Sequence, residues 1–229
     1  MALPVARFQP ASDQSLLVVL SEEISLDAHR QVAGLLQLLE LEPISGVRNL
    51  HPAYSSILVV FDGLQLRHAE LEKILHGYLE RLETIPPPEP RLVKIPVCYD
   101  TEFGLDLNDV AASCSLSATQ IIEMHCSVLY TVYFLGFVPG FAYLGDVPPE
   151  LVVSRLATPR RSVPLGSVAI AGRQAGVYPS PTPGGWRILG RTPVAMFCRA
   201  RTPMSLLSIG DQVRFVPISR GQFDAMEET

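Results

Sequence analysis

Apolar and polar positions in the first 84 residues predict a β-α-β-β-α order. Ser15–Leu20 is a short continuous apolar run, as in a buried strand. Leu26–Leu39 places Val32, Leu35, Leu36 and Leu39 at the spacing of an amphipathic helix. A short strand is expected near Val47–Leu50. Ser55–Phe61 then reads as a β-branched strand closed by the turn signal Asp62-Gly63. From about Gln65 to Leu82, a second helix carries Leu71, Ile74, Leu75, Tyr78 and Leu82 on one side. Such an order suits a small α+β sheet with helices on one face, ferredoxin-like in type.

Ile85-Pro-Pro-Pro-Glu-Pro90 interrupts this pattern. Prolines at that density forbid helix, cannot donate to a ladder and favour a stiff polyproline spacer. The expected layout is a small domain at 1–84, a spacer at 85–90, a second domain at 91–221 and a tail at 222–229. In the second domain Arg91–Tyr99 reads as a strand and Leu105–Ala112 as a helix. Ser117 caps another helix running through Cys126, with Gln120 placed to complete a capping box. From Val128 onward short strands alternate with Gly/Pro turns: Tyr130–Phe137, Ser167–Ala171, Trp186–Leu189, Val194–Cys198 and Gln212–Pro217. Many short strands with few helices predict a mainly-β closed barrel or sandwich. The tail is expected to be a frayed helix or disordered.

Composition narrows the class. At 229 residues, with 48% hydrophobic and 18% charged positions, the chain can bury a real core. A net charge of −5 gives no basic footprint, so no nucleic-acid partner is expected. The four cysteines (Cys98, Cys114, Cys126, Cys198) and the five histidines are scattered, which predicts free thiols and no metal site. No secretory leader is legible. The longest apolar stretch, Val128–Leu144, is interrupted by Gly136, Pro139 and Gly140, so no membrane span is expected and a cytoplasmic location is.

Candidate chemistry concentrates between Phe134 and Arg191. Nine of the sixteen glycines fall between Gly136 and Gly190, among isolated arginines, tyrosines, a glutamine and the single tryptophan. That density predicts tight turns and close backbone approaches around a pocket. Walker, dinucleotide-binding, nucleophile-elbow and H-E-x-x-H motifs are all absent. Pro183-Gly184-Gly185 reads as a tight turn before Trp186 more readily than as a phosphate loop. Arg155, Arg160 and Arg161 are expected on a loop, serving either solubility or anion capture; Pro159-Arg160 favours capture by a planar fork. Gln174 can donate and accept together, as recognition of an amide or lactam requires. Tyr143, Tyr178 and Trp186 read either as core aromatics or as pocket residues; Trp186 favours the core, and Tyr178, between Gly176 and Pro179, a strand end where pocket residues collect. His125 reads either as a packed, hydrogen-bonded core residue or as a proton carrier.

The runs Gly136-Phe-Val-Pro-Gly-Phe-Ala-Tyr-Leu-Gly145, Pro159-Arg160, Val163-Pro-Leu-Gly-Ser-Val168, Tyr178-Pro179 and Pro183-Gly-Gly-Trp186 with Gly190-Arg-Thr-Pro193 together resemble the family of 5-oxoprolinase B subunits. The same family is called allophanate hydrolase subunit 1, or Kip-type kinase inhibitor. Likeness extends through Ile95–Tyr99, Asp106-Leu107, His125 and Gly210–Phe215. Leu165 stands where a small residue is usual, and Gln174-Ala-Gly176 replaces the common Gln-Thr-Gly. The resemblance implies a cyclophilin-like barrel, of carboxyltransferase subdomain C/D type, behind the small α+β domain. It also implies work with two further 5-oxoprolinase components, a homologous C subunit plus an A subunit, in the ATP-dependent opening of 5-oxoproline to glutamate. By position it makes His125, Tyr143, Arg160, Gln174 and Tyr178 site candidates; Arg160, Gln174, Tyr178 and His125 are taken as catalytic candidates and Tyr143, with Arg155, Arg161 and Phe141 added, as substrate contacts. Pro139, Gly140, Gly184 and Gly185 would supply pocket backbone. In this reading Arg160 grips the substrate carboxylate, Gln174 and Tyr178 orient the lactam, and Arg155 and Arg161 offset charge on phosphoryl oxygens. Two alternatives remain open: direct inhibition of a sensor histidine kinase, and a carboxyltransferase role in urea degradation beside a biotin-bearing partner.

Overall fold

A computed structural model describes residues 6–82 and 89–227. The chain divides into two compact units after Glu89. The expected end of the first domain at residue 84 and the spacer positions 85–88 lie outside the described residues.

In the first unit β1 (Arg7–Ser12) and β2 (Ser15–Val19) form a hairpin, followed by α1 (Leu26–Leu41), β3 (Val47–Pro52), β4 (Ser56–Phe61) and α2 (His68–Arg81). The sheet is antiparallel, in the order β1-β2-β4-β3. Strict alternation in β4 buries Ile57, Val59 and Phe61, and α1 buries Val32, Leu35, Leu36 and Leu39. Helix α1 starts where Ser25 accepts from the Ala28 amide at 3.1 Å. Asp62 delays α2 to His68 by accepting from the Leu64 amide and the Gln65 side chain. The order departs from expectation by one strand. A ferredoxin-like unit carries its outer strand after the second helix, whereas the place beside β2 is filled here by β1, first in the chain.

The second unit runs β5 (Leu92–Val97), α3 (Leu107–Cys114), α4 (Ala118–Ser127), β6 (Tyr130–Leu135), β7 (Ala142–Gly145), β8 (Arg160–Val163), β9 (Ser167–Ala171), β10 (Gln174–Val177), β11 (Thr182–Gly184), β12 (Arg187–Arg191), β13 (Gln212–Pro217) and α5 (Arg220–Glu227). Seven strands form one sheet in the order β12-β9-β10-β7-β6-β13-β5, and β8 pairs with β11 as a separate ribbon. The open edges of the large sheet meet at one bridge. There the Cys98 amide donates to the Arg191 carbonyl at 2.8 Å and the Arg191 amide returns to Cys98 at 2.9 Å. The sheet is thus a nearly closed barrel. Its interior is apolar, with Val97, Val132, Leu144, Val168, Ile170, Val177, Leu189 and Phe215 in one cluster.

Three expectations change. Val194–Cys198 is not a strand; it contributes one bridge, Phe197 to Ser205. Arg160 and Arg161 lie on β8 rather than on a loop. The tail is neither frayed nor disordered through residue 227, because α5 buries Phe223 against Phe103 and Cys98. Arg220 pairs with Glu102 and lies over the Phe103 ring at 4.6 Å. Among the described residues no helix is long and apolar enough to cross a membrane.

Candidate functional site

Between β6 and β7 the chain must reverse in six residues. Gly140 does so at φ +85°, where an added Cβ would overlap Phe197. Phe137 also adopts a positive φ, +67°, a strained conformation for a bulky residue. The turn is closed by Gly136 N–H to Phe141 O (3.1 Å) and Phe141 N–H to Val138 O (3.0 Å). Phe141 is thereby buried while Phe137 is exposed. Phe141 meets Tyr143, Tyr178 and Trp186 edge to face, with centroids 5.0, 5.4 and 5.5 Å away.

These rings wall a cavity of about 200 Å³. Phe137, Phe141, Tyr143, Tyr178 and Trp186 supply the aromatic surface; Arg155, Pro159 and Pro183–Gly185 complete the rim. The Arg155 guanidinium lies 5.9 Å from the Trp186 ring. No acidic side chain lines the cavity, and none pairs with Arg155 among the described residues. Tyr178 is 2% exposed and packs in one buried cluster with Phe141 and Trp186. Burial pushes this phenol up, against the pull of the Trp186 backbone and of Arg155 and Arg160. A Cβ at Gly184 would overlap the Tyr178 hydroxyl and require that ring to shift.

Arg160 stands behind this wall. It registers with Gly184 across β8 and β11, and its Nη2 donates to Asp106 Oδ1 at 2.6 Å. Asp106 is 2% exposed, and its second oxygen accepts from the Ile188 amide at 2.7 Å. Arg160 Nη1 is buried with no hydrogen-bond partner among the described residues.

Of the expected site residues, Phe141, Tyr143, Arg155, Tyr178, Gly184 and Gly185 therefore converge on one cavity. Arg160 adjoins it through Pro159 and Gly184. The others lie elsewhere. Gln174 begins β10 opposite Gly145 and Ala171, beside the Arg173–Asp146 pair (3.3 Å). Arg161 is exposed on β8, and Pro139 is exposed on the β6–β7 turn beside the buried Gly140. His125 is fully buried in the barrel core. Its Nδ1 is 2.7 Å from the Tyr99 hydroxyl, its ring stacks on Phe215 at 4.5 Å, and burial pushes its pKa down to about 3. A ring so placed is neutral at physiological pH and lines no part of the cavity. Phe137, Leu156 and Pro159 enter the lining from loops with no periodicity to reveal them. Asp106 carried only a motif resemblance. No group of three potential metal ligands occurs among the described residues.

The nearly closed barrel carries an aromatic-walled, arginine-rimmed cavity, and residues 6–207 match the model of the carboxyltransferase domain, subdomain C and D. The chain is 37% identical to the B subunit of 5-oxoprolinase from Bacillus subtilis over 97% of each chain. It is 40% identical to the B subunit of 5-oxoprolinase from Escherichia coli over 94% of this chain and 98% of the other. The crystal structure of TTHA0988 superposes with a TM-score of 0.81 at 37% identity, covering 90% of this chain and 40% of that longer one. The chain belongs to the carboxyltransferase subdomain C and D family, among its 5-oxoprolinase B subunits.

Proposed function

We propose that this chain is the B subunit of an ATP-dependent 5-oxoprolinase complex that converts 5-oxo-L-proline to L-glutamate in the cytoplasm, working with a homologous barrel protein (the C subunit) plus an A subunit. The observation that carries the reading is end-to-end similarity to B subunits of 5-oxoprolinase, 97% of both chains in one case. The net reaction breaks the lactam C–N bond with one water, and ATP is hydrolysed with a second.

The cavity suits the smaller substrate. Its volume of about 200 Å³ lies below the roughly 300–1,000 Å³ of pockets for drug-sized ligands, which supports a five-membered lactam as its occupant. Arg155 is the anchor for the substrate carboxylate, being a rim cation with no acidic partner among the described residues. Tyr178 and the Gly184–Gly185 backbone face the ring, with Phe141 and Tyr143 as its apolar walls. Arg160, expected from the sequence to grip the carboxylate, is engaged by Asp106. In this reading the chain's own residues bind and orient the lactam.

Co-purification with the homologous barrel protein and the A subunit, followed by glutamate release from 5-oxoproline, tests the proposal. ATP-dependent glutamate is expected from the complex and none from this chain alone. A complex that assembles but releases no glutamate, or a purified chain that blocks histidine-kinase autophosphorylation, would reject it.

A further inference from the structure

We propose that Asp106 is a positioning residue of the cavity, acting through Arg160 and Ile188 to fix the two backbone segments that flank Tyr178. The inference rests on the substrate site proposed above. The two Asp106 oxygens engage different strands: Arg160 of β8 at 2.6 Å and the Ile188 amide of β12 at 2.7 Å. Each strand leads to one neighbour of Tyr178. Arg160 registers with Gly184, whose missing side chain leaves room for the Tyr178 hydroxyl. Ile188 lies two residues beyond Trp186, which packs in one buried cluster with Tyr178 and lines the same cavity. A buried carboxylate thus ties together both sides of one wall of the cavity.

A plain structural role fits less well. Asp106 occupies the N-cap of α3, yet its side chain makes no capping hydrogen bond to that helix. A buried ion pair is also weak support for stability compared with apolar packing of the same volume, which makes geometry the better reason for its presence. The guanidinium depends on this carboxylate: Nη1 has no partner among the described residues, so loss of Asp106 frees Arg160 to swing toward the rim.

The test is a cycle of Asp106→Asn, Arg160→Lys and the double variant in the reconstituted complex. Asn keeps an acceptor for the Ile188 amide, and Lys keeps the charge but loses the planar fork. Each single change is expected to lower kcat on the order of 100-fold, the scale of a misplaced catalytic wall, with KM for 5-oxoproline within about threefold. The double variant should be no slower than the worse single. Multiplied losses, or Asp106→Asn melting earlier with unchanged kcat, would overturn the proposal. If wild type is inert on 5-oxoproline, the functional reading fails instead, and a second readout decides this one. In the ¹⁵N-labelled chain without substrate, the Gly184 and Trp186 amide signals should shift alike in both single variants, and unmoved signals overturn it.

Discussion

At the scale of single residues, two arginines five positions apart do different things because of what surrounds them. Arg155 lies on an aromatic face with no carboxylate in reach of its cavity; Arg160 is held by a buried one. Replacing Arg155 by Ala should raise KM for 5-oxoproline about 10- to 100-fold, the worth of a charged hydrogen bond, with kcat changed far less. Steady-state kinetics of the complex measures this, and a kcat defect at unchanged KM would move the carboxylate anchor elsewhere. Gly184→Ala should act differently, since its Cβ meets the Tyr178 hydroxyl and must push the ring into the cavity. Binding of 5-oxoproline by calorimetry should weaken at least tenfold while the chain stays folded, because the clash relieves itself into open space. The arginines were legible in the sequence as a cluster; their division of labour was not. Which cation keeps its charge for a ligand depends on Asp106, roughly fifty residues upstream, and only folding brings it there.

At the scale of elements, legibility followed length and periodicity. Helix α4 was readable to its first turn. Ser117 accepts from the Gln120 amide at 3.2 Å and the Gln120 side chain returns to the Ser117 amide at 2.9 Å. Ser117→Ala should cost roughly 1 kcal/mol. That is a melting decrease of about 2–4 °C for a protein of this size, read by circular dichroism. Strands β9 and β13 were equally plain, being continuous or alternating apolar runs. The strands β7, β8, β10 and β11 have only three or four residues each, too short to show a period, and pairing with neighbours defines them. Strand β1 carries almost no apolar signal, for five of its six residues are exposed. It exists because β2 offers an unpaired edge. The terminal helix α5 rests on the single anchor Phe223, which a composition-based reading takes for a polar tail. The cavity followed the same logic: its glycines and aromatics were visible, but the loop residues Phe137 and Leu156 were placed by turns that no pattern announces.

At the scale of the whole molecule, each unit carries one buried histidine, and both contribute to how stability varies with acidity. His29 on α1 has its pKa lowered to about 4, mainly by burial and then by Arg30. His125 is lowered to about 3 by burial alone. Both fall below the unfolded value of about 6.5, so between those limits the unfolded chain binds more protons than the folded one. The stability due to the neutral rings is complete above pH 6.5 and is lost as pH falls toward 4 and then 3. Inside that window each histidine contributes a slope of about 1.4 kcal/mol per pH unit. Chemical denaturation at pH 7.5 and at pH 5 should therefore show both units weakened at the lower pH. His125→Phe separates the two contributions. It lowers stability at pH 7.5, because the Tyr99 hydroxyl loses its 2.7 Å partner in the core. It should also flatten the barrel's pH dependence by one proton while leaving that of the first unit unchanged. A barrel that keeps its full slope without His125 would show that another group binds the proton, and the core histidine would then have no part in the acid response.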